Sequence, residues 1–159
     1  VKLYKLLYLL DFEHYRDVGR PVTGREYFAW PKGPVPVALH NEVEAPAPDL
    51  SEKVTVETFQ WQGGIGLTIT PKVEFDPSHF TKRELKLLER LADEFKLTLA
   101  NDMIERTHLE NEPWHKVFHT QRRPQHSIPY ELAARAPESE EMQRVANERA
   151  EIQNNFATA

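Results

Sequence analysis

The first seventeen residues constrain this chain more than any other stretch. From Val1 to Asp17, apolar side chains cover almost the whole circumference of a helix. Leu3, Leu6, Leu7 and Leu10 recur at helical spacing, and Tyr4, Tyr8, Phe12 and Tyr15 fill much of the opposite side. Only a narrow stripe through Lys2, Lys5, Glu13 and Arg16 is left as the polar face. A helix that is apolar nearly all round belongs inside a core, so other elements must pack around it. Val18-Gly19-Arg20-Pro21 ends it, with Gly19 suited to a left-handed cap and Pro21 unable to continue the helix.

The rest of the chain supplies the covering elements. Arg25-Glu26-Tyr27-Phe28-Ala29-Trp30 reads as a short strand, and the three prolines of Pro31 to Pro36 forbid a central strand or helix interior there. Gly33, before Pro34, is expected to be extended. A short helix opened by Pro34 or Pro36 would carry Val37, Leu39 and Val43, and Ala45-Pro46-Ala47-Pro48 reads as a stiff connector. Val54 to Thr70 reads as a β-hairpin. A three-residue loop, Gly63 to Ile65, pairs Trp61 with Leu67 and Phe59 with Ile69, making one face apolar throughout. Thr81-x-x-Glu84 is a capping box, with Phe80 and Leu85 as its hydrophobic staple. It opens a helix whose apolar face is Leu85, Leu88, Leu91, Ala92 and Phe95. Further helices are expected over Thr98–Thr107, from Pro113 through Phe118, and from Pro137 to about Phe156. The last has only a thin apolar stripe of Met142, Val145, Ile152 and Phe156. The expected fold is therefore mainly α with a small β-hairpin or sheet, its helices packed around the N-terminal helix. Residues 1–136 form the expected domain and 137–159 a helical extension on or beside it.

Composition narrows the function classes. A chain of 159 residues suits one domain with a real core. It has no cysteine, which excludes disulfide frameworks and thiolate metal sites and makes the cytoplasm the expected compartment. No apolar run approaches the ~18 residues of a membrane span. The chain opens in mid-pattern at Val1, so a start further upstream is expected. A net charge of -5 weighs against a dedicated nucleic-acid binder.

Catalytic signatures are missing. No Gly-x-Ser-x-Gly elbow is present, and Gly63-Gly64-Ile65-Gly66 has neither the lysine nor the helix context of a phosphate loop. His115 and His119 share a helix face, with Glu112 nearby, but they lack the His-Glu-x-x-His order and a third ligand of recognisable spacing. A solvated or partner-facing surface is the simpler reading, and no cofactor or metal is expected. His119, Arg122, Arg123 and His126 form a small basic patch. Trp30, on a proline-stiffened loop, and Trp114 are of the residue type that anchors interfaces when exposed.

Several of these residues together resemble a known family. Lys2-Leu3-Tyr4-Lys5-Leu6-Leu7-Tyr8-Leu9-Leu10-Asp11, Gly19-Arg20-Pro21 and Phe28-Ala29-Trp30-Pro31-Lys32-Gly33-Pro34-Val35 resemble the opening of the Panacea domain, also called SocA-like or DUF4065. Thr107-His108, Pro113-Trp114 and Ile128-Pro129-Tyr130 resemble its second half, so the likeness runs from about Lys2 to Leu132. It implies a mainly helical fold and a prokaryotic or phage antitoxin that neutralises a protein toxin by direct binding, without catalysis. The alternatives are a DNA-binding or autoregulatory role, a protease adaptor and, last, a metal-dependent hydrolase. The expected partner is a cognate toxin, with homo-oligomerisation open and neither membrane nor nucleic acid expected. The partner-binding residues expected from type and stiffness are Arg25, Tyr27, Trp30 and Lys32, then Trp114, Phe118, Arg122 and Arg123.

Overall fold

The N-terminal helix, α1 (Lys2–Val18), is the hub that its composition demands. In the computed structural model, which describes residues 2–61, 64–109 and 112–134, α1 buries Tyr8, Leu9, Leu10, Phe12 and Tyr15 in one apolar cluster. Gly19 caps it at φ +70°, its N–H donating to the Tyr15 carbonyl at 2.8 Å. One expectation fails here. Lys5 is not on a solvated stripe but is buried, as are Asp11 and His14.

The described parts of the chain fall into two compact units. The first combines Val1–Pro36 with Lys82–Ala159, and the second is Val37–Thr81. In the first unit, β1 (Phe28–Trp30) pairs antiparallel with β2 (Gly33–Val35) across the two-residue turn Pro31-Lys32. Pro34 is tolerated because a two-stranded sheet has no central strand. Gly33 is not simply extended but sits at φ +101°. Helix α4 (Lys82–Phe95) starts directly after Thr81. Its buried stripe is Glu84, Leu91 and Phe95, flanked by the partly buried Leu87 and Leu88, while Ala92 is exposed, contrary to the expected face. Helix α5 (Ala100–Thr107) buries Met103 and Thr107. Helix α6 (Pro113–His115) runs on into one π-helical turn, Lys116–Thr120, before the 3-10 turn Tyr130–Ala133. The core joins α1 to Tyr27, Ala29, Leu91, Phe95, Met103, Trp114, Val117, Ile128 and Ala133.

The second unit holds α2 (Val37–Glu44), the short α3 (Pro48–Lys53), and the antiparallel hairpin of β3 (Val54–Trp61) and β4 (Gly64–Pro71). Helix α2 follows Pro36 as expected, burying Leu39 and Val43. Helix α3 was not expected within the proline-rich connector; it arises because Pro48 occupies the first turn, where no N–H is needed. The hairpin register also differs from expectation. Trp61 pairs with Gly64, Phe59 with Gly66 and Val56 with Ile69. The ring of Phe59 lies over Gly66, where an added Cβ would come within 2.3 Å of it. A cross-strand aromatic covering a bare glycine fixes this register, as opposed to apolar residues paired face to face. The extension expected over 137–159 lies outside the described residues.

Candidate partner-binding face

The face is built on the outer edge of β1. The segment after the π turn runs antiparallel to β1 and hydrogen-bonds it. The Gln125 N–H donates to the Ala29 carbonyl at 2.7 Å, the Ala29 N–H to His126 at 2.9 Å, and the Ile128 N–H to Tyr27 at 2.8 Å. A bridge pairs Phe28 with Ser127. The turn is held from the other side by the Arg123 N–H, which donates to the Val117 carbonyl at 3.0 Å. Arg122 (φ 53°) and Gln125 (φ 61°) both adopt the left-handed conformation, which is uncommon for side chains other than glycine, asparagine or aspartate.

Trp114 supports this arrangement from beneath and is 1% exposed. Its indole N–H donates to the Trp30 carbonyl at 3.0 Å, and its backbone N–H to the Tyr8 hydroxyl at 3.2 Å. Its ring lies between His108, parallel at 3.6 Å, and Phe118 at 4.8 Å, with His119 edge-on at 5.3 Å. His115 and His119 are 5.0 Å apart, ring to ring. Among the described residues, no group of three His, Asp or Glu side chains is placed to hold a metal ion.

The expected partner-binding residues divide by burial. Lys32, Arg122 and Arg123 are exposed, while Arg25, Trp30 and Phe118 are half-buried. Tyr27, like Trp114, is 1% exposed, so in this conformation both rings face the core and not a partner. Antiparallel pairing puts Arg122 and Arg123 beyond the end of β1 that carries Trp30 and leads into the Lys32 turn. Arg25 lies past the opposite end of β1.

Behind this face, two buried polar groups hold the elements together; neither was singled out in the sequence. The Asp11 carboxylate accepts from the Thr23 N–H at 2.6 Å, the Thr23 hydroxyl at 2.5 Å, and the Tyr27 hydroxyl at 2.7 Å. The Tyr130 hydroxyl lies 3.4 Å from the same oxygen and donates to the Arg25 carbonyl at 2.5 Å. Burial first, then the Asp11 charge, pushes the ionisation of both tyrosines well above the ordinary phenol range. Lys5 donates to the Pro34 carbonyl at 2.9 Å, and burial brings its ammonium down to about 7. Burial, then the Lys5 charge, lowers His108 to about 4. The cavity between α1 and α5, lined by Tyr8, Phe12, Arg16, Arg106 and Glu112, has room for water-sized occupants only, about 20 Å³.

With that geometry in place, the chain can be compared with known proteins. The family described as "Antitoxin SocA-like, Panacea domain" matches residues 3–115. The chain belongs to that family. No curated protein and no solved structure matches it. The matched span of this Panacea domain takes in α1, both hairpins, α4, α5 and Trp114. Arg122 and Arg123 lie beyond it, yet their segment is hydrogen-bonded to a strand within it.

Proposed function

We propose that this Panacea domain is an antitoxin that neutralises a cognate protein toxin by direct binding in the cytoplasm, without catalysis and without a cofactor. Family membership is the observation that carries the reading. The geometry supports it in a second way. The exposed part of the β1 face is tied down by backbone hydrogen bonds, is backed by Trp114, and carries side chains suited to contact. A preformed surface loses little conformational entropy on association, which favours tight occlusion of a partner. The contact residues under this reading are Trp30, Lys32, Phe118, Arg122 and Arg123. Arg25 forms a separate patch, and Tyr27 and Trp114 act as supports.

Co-expression with the protein encoded beside its gene tests the proposal. Growth arrest by the neighbour alone, relieved by this chain through a purified complex of defined stoichiometry, is the expected result. Relief without a complex, or a neighbour that never arrests growth, would overturn it.

A further inference from the structure

Acidic residues are common in this chain, 25 of them among 159 positions, but they avoid one region. Neither the stretch from Tyr27 to Pro36 nor that from Pro113 to Tyr130 contains a single Asp or Glu. The two are far apart in sequence, and the fold lays them side by side through the bonds between β1 and residues 125–128 and the bond from Trp114 to Trp30. The result is a surface with Lys32, Arg122 and Arg123 exposed at one end and His119 and His126 exposed beside them. Among the described residues, none of the three cations has an ion-pair partner, whereas Arg16, Arg20 and Arg90 all do. Arg122 also occupies a left-handed backbone position that glycine or asparagine would fill with less strain.

We infer that this carboxylate-free face receives a carboxylate-rich patch of the toxin, with Arg122, Arg123 and Lys32 as the charged contacts. The inference rests on the antitoxin reading above and adds the chemistry of the partner. Three exposed cations on two neighbouring turns, without an ion-pair partner among the described residues, match a compact acidic patch, because guanidinium groups engage carboxylates in paired, planar hydrogen bonds. A nucleic-acid track requires more phosphate contacts than this patch offers, and the chain's overall negative charge opposes it.

Association rates of the purified complex, measured at low and high salt, test the idea. Arg122→Glu with Arg123→Glu, alone and with Lys32→Glu, should slow association about tenfold or more at low salt and far less at high salt. Arg122→Lys with Arg123→Lys should restore much of the rate. Lys82→Glu with Lys86→Glu, an equal charge change on exposed positions of α4, should leave it near the parent value. Thermal melts confirm that each variant is folded. A complex that forms with unchanged rates in the reversal variants sinks this inference but leaves the antitoxin reading standing; absence of any complex sinks both. The inference also falls if the reversals instead abolish binding to a 20-base-pair DNA duplex, or alter only self-association in sedimentation. It falls too if Glu138→Gln, Glu140→Gln and Glu141→Gln speed association as much as the reversals slow it, which would make this chain's own acidic stretch the occupant.

Discussion

Asp11 shows how one buried carboxylate can join three segments that share no secondary structure. It faces Thr23 in the loop after α1, Tyr27 just before β1, and Tyr130 in the last described turn. Its 0% exposure means that water cannot replace a lost bond. Asp11→Asn keeps the shape but turns one acceptor atom into a donor, so either the Thr23 N–H or both the Thr23 and Tyr27 hydroxyls lose their acceptor. The expected cost is about 2–3 kcal/mol of stability, read as a lower urea midpoint, because unsatisfied buried groups lose their full desolvation energy. Asp11→Ala should cost more, and Tyr27→Phe only about 1 kcal/mol, since it removes the donor along with its need. Equal midpoints for Asp11→Asn and the parent would show that the network carries no stability.

At the scale of elements, the Trp30-to-Val35 motif explains itself through α1. Gly33 at φ +101° turns the β hairpin so closely onto α1 that an added Cβ would lie 2.7 Å from Lys5 Nζ and 3.0 Å from Thr107 Oγ1. Lys5 cannot simply move aside, because it is bonded to the Pro34 carbonyl. Gly33→Ala therefore combines backbone strain with a clash and should cost about 3 kcal/mol, checked by thermal or urea denaturation. Such packing also marks the limits of what the sequence discloses. The central place of α1 was legible because its leucines and aromatics repeat over five turns and leave almost no polar face. The Gly19 cap and the start of α4 were legible because capping chemistry is local. The β3–β4 register was not, because Ile65 and Phe59 are exposed at 73% and 48%. Where neither face is buried, apolar pairing does not decide register, and the bare Gly66 beneath Phe59 did. The burial of Lys5 and Asp11 was hidden for another reason. Periodicity places a polar side chain on a face, but whether that face meets water depends on segments up to 119 positions away. Of the candidate contact residues, Lys32, Arg122 and Arg123 are exposed, and residue type alone could not separate the half-buried Trp30 from the buried Trp114. Both are tryptophans beside prolines, and only the fold sets them apart, burying the Trp114 ring against His108 and Phe118 with its indole bonded to the Trp30 carbonyl.

For the whole molecule, these buried groups fix how stability depends on pH. His108 is held to about 4 in the folded protein against ~6.5 in an unfolded chain, and Lys5 to about 7 against ~10.4. In each interval the unfolded chain binds the extra proton, so stability rises with pH from about 4 to 6.5 through His108 and from about 7 to 10 through Lys5. Conversely, both contributions are lost as pH falls through the folded values. Tyr8, Tyr27 and Tyr130 act in the opposite sense. Burial keeps them protonated in the fold beyond the ordinary ~10, so stability should fall once the unfolded phenols ionise above that pH. The urea midpoint should therefore keep climbing past neutrality and peak near pH 9–10, above the usual range of about 5–8. Two substitutions assign the limbs. Lys5→Met should flatten the rise between pH 7 and 10, since the buried ammonium is removed at little loss of volume, and should lower stability near pH 10, where the Pro34 carbonyl is left without its donor. His108→Phe keeps the stack on Trp114 and should flatten the part of the acid limb between pH 4 and 6.5 that the carboxylates do not supply. A parent midpoint that declines from pH 7 to 9, or a Lys5→Met profile parallel to the parent's, would show that Lys5 is solvated in solution and that the contact between α1 and the β hairpin is looser than its geometry implies.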